Sequence, residues 1–275
     1  MYTLDGIPPV DPAGVYKLLT GTTVRGFAGR RANMLELPGV DGAIPDVGAP
    51  FMPGSINLQY RFFAATHGAM MAALERFNGV VGQRKLLTIV HDYGNGQTRT
   101  NQGFVTSPIV TEMPINRYVR YPVALQLPNP LWRGSALLTA DSGTLTATFA
   151  NHTLAGFSST APITDALIRV RGGFSTAYIG CPVSGDEILI NTPIGATEYA
   201  VIDTKTWSAR KVTTDTWSGG TDISASVSSN KGRGHMLSLE PDQIGATGGR
   251  YRVRARATNP TGTPIVQVRA QLAYH

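Results

Sequence analysis

Three stretches of the chain place an apolar residue at every second position. Ile56, Leu58, Tyr60 and Phe62 alternate with Asn57, Gln59 and Arg61. Val119, Tyr121, Val123, Leu125 and Leu127 alternate with Arg120, Pro122, Ala124 and Gln126. Tyr251, Val253, Ala255 and Ala257 alternate with Arg252, Arg254 and Arg256. A period of two puts one face of each stretch into a core and the other into water. One stretch alone has helical spacing: Met70, Leu74, Phe77 and Val81, with Thr66 placed to cap its start and Asn78-Gly79 suited to its end. Such a chain folds mainly β, with a single helix laid on a sheet.

Composition agrees. The chain has 31 glycines and 18 prolines, the turn residues that many short strands need. Charged residues are only 15% while 42% are hydrophobic, so a core can be buried and the wet strand faces must be Thr, Ser, Asn and Gln. A length of 275 residues suits two domains. The net charge of +6 is mild and spread along the chain, which argues against sequence-specific nucleic-acid binding. The single cysteine, Cys181, excludes an internal disulfide. No apolar run reaches the ~20 residues of a spanning helix, and no signal peptide is visible, so synthesis in a cytosol and no membrane insertion are expected.

The residues from Pro38 to Pro53 form a long Gly- and Pro-rich loop that begins inside Glu36-Leu37-Pro38-Gly39-Val40-Asp41-Gly42, a rigid acidic turn. Strands are expected at Tyr16–Leu19, Thr22–Phe27, Lys85–Val90 and, after the turn Tyr93-Gly94-Asn95-Gly96, from Thr98 onward. Pro122 places its strand at an edge or a bulge. Pro128-Asn129-Pro130-Leu131-Trp132-Arg133-Gly134 reads as a stiff elbow, setting domains at 1–133 and 134–275. The second half shows strands and no helix, including one at Thr144–Phe149. The last two strands read as a hairpin around Asn259-Pro260-Thr261-Gly262, which would bring Arg269 beside the Arg252 row.

Chemistry is scarce. The five histidines, His67, His91, His152, His235 and His275, lie in unrelated contexts, with no Ser-His-Asp setting. There is no cysteine pair, no helical histidine pair and no phosphate-cradling glycine loop. Neither enzymatic activity nor a metal or cofactor is expected. Two features are candidate contact sites. Arg252, Arg254, Arg256 and Arg269 are either a solvated face that discourages edge pairing or a patch for an acidic protein or phosphate backbone. Trp207 and Trp217 flank a Thr- and Ser-rich segment and are either core residues or platforms for sugar rings.

The order of elements carries a resemblance. Thr3-Leu4-Asp5-Gly6, the Glu36–Gly42 stretch, the strand Ile56–Phe63, the helix from Thr66 and Asn129-Pro130-Leu131-Trp132 together resemble the distal tail protein family of long-tailed bacteriophages. The resemblance implies an N-terminal tail-tube-like β-sandwich with one helix and a C-terminal galectin-like β-sandwich. It further implies a homo-oligomer, a hexameric ring at the distal end of the virion tail. The ring would join the tail tube protein to the tail tip, hub or baseplate and act as a platform for receptor-binding proteins. The His, Asn, Arg and Trp cluster of sugar-binding galectins has no match here. The competing reading is a carbohydrate-binding module or adhesin that contacts host glycans through Trp207 and Trp217.

Overall fold

The structure, a computed structural model, describes residues 1–19, 22, 52–106, 118–230, 237–242 and 249–275, and the backbone alone of 34–36, 43–45 and 112–115. The chain divides into two compact units: Met1–Arg133 with His275, and Gly134–Tyr274. Residues 37–42 of the acidic turn and 23–27 of the expected second strand lie outside the described residues.

The first unit contains β1 (Tyr2–Leu4), β2 (Tyr16–Leu18), β3 (Met34–Glu36), β4 (Ala43–Pro45), β5 (Gly54–Phe63), α1 (His67–Val81), β6 (Leu87–Asp92), β7 (Thr98–Val105), β8 (Glu112–Ile115) and β9 (Tyr118–Leu127). Asp5 and Gly6 both have positive φ, at 46° and 85°. Leu4 and Ile7 exchange backbone hydrogen bonds of 3.1 and 2.8 Å across them. This is the two-residue turn that an Asp-Gly pair favours. β3 pairs with β4, Glu36 opposite Ala43.

β5 lies between β2 and β9, with Tyr60 opposite Tyr121 and Leu18 opposite Tyr60. β7 changes partners along its length, pairing first with β6 and then, from Phe104, with β9. Gly103 sits at this corner, where a Cβ would lie 2.9 Å from the Gln126 carbonyl. Corners of this kind let one strand serve two layers. Pro122 stands opposite Gln59. The Gln59 carbonyl accepts from Leu19 N at 2.7 Å, on the far side of β5. The pair therefore exchanges no hydrogen bond, and the missing N–H falls between the stretches of β9 that pair with β8 and β7.

Thr66 caps α1, its Oγ1 accepting from Ala69 N at 3.2 Å. Met70, Ala73, Leu74, Phe77 and Val81 are buried. Phe77 meets Tyr60, Phe62 and Tyr121 edge-on, with centroids 4.8 to 5.3 Å apart, a favoured aromatic geometry. The helix runs past the expected end at Asn78-Gly79 to Val81, and Gly82 is its C-cap. Burying Phe77 and Val81 outweighs the roughly 1 kcal/mol that an interior glycine costs.

The second unit contains β10 (Trp132–Thr144, from Gly134), β11 (Ala150–Ser159), β12 (Leu167–Arg171), β13 (Thr176–Gly180), β14 (Glu187–Ile190), β15 (Tyr199–Asp203), β16 (Ser208–Val212), β17 (Thr221–Asp222), β18 (Val227–Ser229), β19 (Gly249–Thr258) and β20 (Ile265–Tyr274). They form two sheets, ordered β17-β16-β15-β12-β20-β10 and β11-β19-β13-β14-β18. Ile168, Val170, Ile202, Val266 and Val268 from the first sheet and Ile179, Ile188, Tyr251, Val253 and Ala255 from the second are buried. Tyr251 donates its hydroxyl to the Ala161 carbonyl at 2.5 Å. The chain is thus mainly β, with one α-helix among the described residues of the first unit and a two-sheet sandwich in the second.

Two expectations fail. Residues 145–149 form the connection between β10 and β11, so the strand expected at Thr144–Phe149 is a turn. β19 and β20 are no hairpin: β19 pairs with β11 and β13, while β20 pairs with β12 and β10. The Asn259–Gly262 turn carries the chain from one sheet to the other.

Candidate docking surfaces

The crossing between sheets separates the expected basic patch. Arg252, Arg254 and Arg256 alternate with the buried Tyr251, Val253, Ala255 and Ala257, so they share the wet face of β19. Arg269 lies on β20 in the opposite sheet, and the grouping of all four is corrected accordingly. The three on β19 are partly answered by their own unit. Arg252 pairs with Asp242, and Arg254 lies 4.0 Å from Glu187. Phe149 takes Arg254 at 4.3 Å and Arg256 at 4.5 Å over its ring, and Tyr178 takes Arg256 at 4.2 Å. The result is a flat surface of interleaved guanidinium and aromatic groups, of the kind found at protein contacts.

Arg269 belongs to a second cluster. Arg169 on β12 is only 5% exposed although it points to the wet side of its sheet. The β16–β17 connection folds over it. Asp215 Oδ1 is 2.5 Å from its guanidinium, Gln267 Oε1 accepts from its Nε at 2.7 Å, and the Thr216 carbonyl accepts at 3.3 Å. The Trp217 ring lies 4.5 Å away and that of Tyr199 4.7 Å. Arg269 sits 5.7 Å from the same indole. Trp217 is therefore neither core nor a free platform.

Trp207 is 36% exposed in the β15–β16 turn. Asp203 Oδ1 organises that turn by accepting from Lys205 N at 2.9 Å and Thr206 N at 3.3 Å. Trp207 itself has φ of 60°, a left-handed conformation that costs a side chain about 1–3 kcal/mol. Trp207 and Trp217 lie at opposite ends of β16 and do not form one site.

Two charged groups are tuned by neighbours. A hydrogen bond from Lys211, 2.7 Å away, holds the Glu198 carboxyl below its ordinary value, helped by Gly195 N. A hydrogen bond from Lys85 does the same for Asp5. Among the described residues no group of three or more His, Cys, Asp or Glu could hold a metal, and no helix is long and apolar enough to cross a membrane.

The first unit shows a different surface. Val81 to Leu86 with Phe104 and Val105 line an open groove of about 630 Å³, and Leu86 and Phe104 are 45% and 39% exposed. On the far side of β5, Lys17, Arg61 and Arg120 form a row across three strands. Sequence reasoning named Arg61 and Arg120 only as wet residues. Pairing the two alternating strands would have set them opposite one another.

No protein-family model and no curated sequence matches the chain. Solved structures do. The SPP1 Dit (gp 19.1) protein, described as a paradigm of the hub adsorption apparatus in phages that infect Gram-positive hosts, superposes with a TM-score of 0.62 over 99% of both chains. This chain has the Dit fold. Sequence identity to that protein is 13%, so the likeness is one of fold. Chains of the phage P2 baseplate in its activated conformation, with Ca and with Sr, match at TM-scores of 0.38 and 0.37. Their identities are 9% and 10%, over 94% and 93% of this chain and 91% and 90% of theirs. The Dit fold accounts for both units at once, helix-bearing and sandwich.

Proposed function

We propose that the chain is a structural virion protein, a ring-forming distal tail subunit that joins the phage tail tube to the tail tip or baseplate. The observation that carries this reading is the end-to-end match to the SPP1 Dit fold. Residues 1–133 would form the ring, most simply a hexamer, and residues 134–275, as a galectin-like sandwich, would present the platform for tip or receptor-binding proteins. Surface composition supports that division. Of ten large apolar side chains exposed among the described residues, seven belong to the first unit: Met1, Val10, Met52, Phe63, Leu86, Tyr93 and Phe104. Apolar side chains concentrated on one unit suit a surface that a second copy covers. The role needs no catalytic group and no cofactor.

Negative-stain microscopy and light scattering of the purified protein, alone and with tail tube protein, test it. Closed rings are expected, and Leu86→Glu with Phe104→Glu should return a folded monomer. A monomer under every condition would sink the reading.

A second reading rests on Trp207, exposed and held left-handed at a turn tip: a carbohydrate-binding module or adhesin. Binding on a glycan array that disappears in Trp207→Ala would favour it. Trp217, already stacked on Arg169, would contribute nothing to such a site.

A further inference from the structure

The wet face of the β2–β5–β9 sheet holds a constellation of cations and aromatic rings. Lys17 lies opposite Arg61, and Arg61 opposite Arg120. In the next row Phe63 lies opposite Tyr118, and its amide donates to the Val15 carbonyl at 2.7 Å. Tyr60, Phe62 and Tyr121 project from the other face and are buried. Like charges directly opposite on paired strands repel and destabilise a sheet. Neither Lys17 nor Arg61 has an acidic partner among the described residues. Glu112 on β8 holds the register position opposite Arg120.

Aromatic groups fix two of these cations instead. The Arg61 guanidinium lies 4.8 Å from the Tyr118 ring and 5.7 Å from that of Phe63. Arg120 Nε donates to the Tyr118 hydroxyl at 2.9 Å. Both guanidiniums are thus gathered on one ring. Arg61 Nε is shut off from solvent and bonds nothing. Beside it is a hollow of about 230 Å³ lined by Gly14, Val15, Tyr16, Lys17, Arg61 and Phe63.

We infer that Lys17, Arg61 and Arg120 form a binding site for a phosphate group. A tetrahedral dianion offers oxygens in several directions and neutralises more than one cation, whereas a carboxylate offers two coplanar oxygens and one charge. Three cations arriving from three strands match the former. Bound phosphate would remove the repulsion along the row. The group could be inorganic phosphate or belong to a phosphodiester chain. In the second case Phe63, 51% exposed, offers an adjoining surface to the sugar or base. The site stands on this sheet face alone.

The test uses the full chain at fixed ionic strength, with inorganic phosphate, a 20-base-pair DNA duplex and hexaglutamate as probes, read by calorimetry and fluorescence anisotropy. Circular dichroism confirms the fold of each variant. Arg61→Gln and Lys17→Gln should each weaken phosphate binding about tenfold or more, and Arg171→Gln, on the other unit, should not. If inorganic phosphate is silent but duplex binding drops in Arg61→Gln, with a salt slope shallower by about one, the source is a phosphodiester chain. Hexaglutamate binding at least as tightly as both phosphate probes would overturn the assignment in favour of an acidic protein. Binding unchanged in Arg61→Gln and Lys17→Gln would overturn it outright.

Discussion

The two units treat their surface charges differently. Of the five ion pairs among the described residues, four lie in residues 134–274: Arg169–Asp215, Lys211–Glu198, Arg252–Asp242 and Arg254–Glu187. Among the described residues the first unit has one, Lys85–Asp5, while Lys17 and Arg61 face each other without an acidic partner and most of the exposed apolar side chains belong to this unit. Exposed pairs add little stability, roughly 0–1 kcal/mol each. The second unit folds a loop over Arg169. The first presents cations and apolar groups on its described surface, which fits the proposed division between ring and platform.

The largest effect that would test this contrast is in the first core. Phe77→Ala removes the ring on which Tyr60, Phe62 and Tyr121 converge and should cost about 3–5 kcal/mol. Amide exchange should accelerate in β5 and β9 while β12 and β19 keep their protection. Spread of the loss into both sandwich sheets would show that the units do not stand apart energetically. Next is Arg169→Ala, expected to cost about 2 kcal/mol through lost packing on Trp217 and Tyr199 rather than through the exposed Asp215 partner. Trp217 emission should shift to the red. An unmoved spectrum would mean the β16–β17 connection holds its place without the guanidinium.

The third effect is a pH dependence. Burial lowers the His152 pKa from 6.5, and Gly143 N donates to its Nδ1 at 3.2 Å. The unfolded chain therefore takes up the proton more readily than the folded one. Stability is full above about pH 6.5, falls as pH drops through that value and levels off below the folded pKa. Because the ring is partly exposed, the melting temperature should fall by only on the order of 1 °C between pH 7.5 and 5.5. His152→Gln should flatten the profile, and a persistent slope would assign it to another group. The smallest effect has the opposite sign to the others. Arg61→Gln relieves a like-charge pair and should leave urea stability unchanged or raise it by about 0.5 kcal/mol. A loss above 1 kcal/mol would mean that Arg61 is as structural as Arg169, and the contrast between the units would weaken.

What could be read from sequence was what is encoded locally. The helix face, its Thr66 cap and the alternation of β5, β9 and β19 depend on residues a few positions apart. The end of α1 was misplaced because glycine propensity at Gly79 is a weaker influence than burial of Val81. The partnership of β19 and β20 was misread because a turn such as Asn259–Gly262 reverses the chain equally well within a sheet or between two. The Arg169 cluster was missed for a related reason: its partners lie 46 to 98 residues away, at Asp215, Thr216, Trp217 and Gln267, and only the sheet order brings them together. For Lys17, Arg61 and Arg120 the alternation gave the face, but the register that makes them neighbours had to come from the fold.

The position of β20 has a consequence for synthesis. It is inserted between β12 and β10, with Leu167 opposite Arg269 and Val170 opposite Val266. Until residue 274 has left the ribosome, its sheet lacks a central member and exposes two unpaired edges. At about 5–20 residues per second, several seconds separate β12 from the strand that completes it. A nascent chain that stalls anywhere in that interval yields no closed sandwich, only an open one for chaperones and proteases to remove.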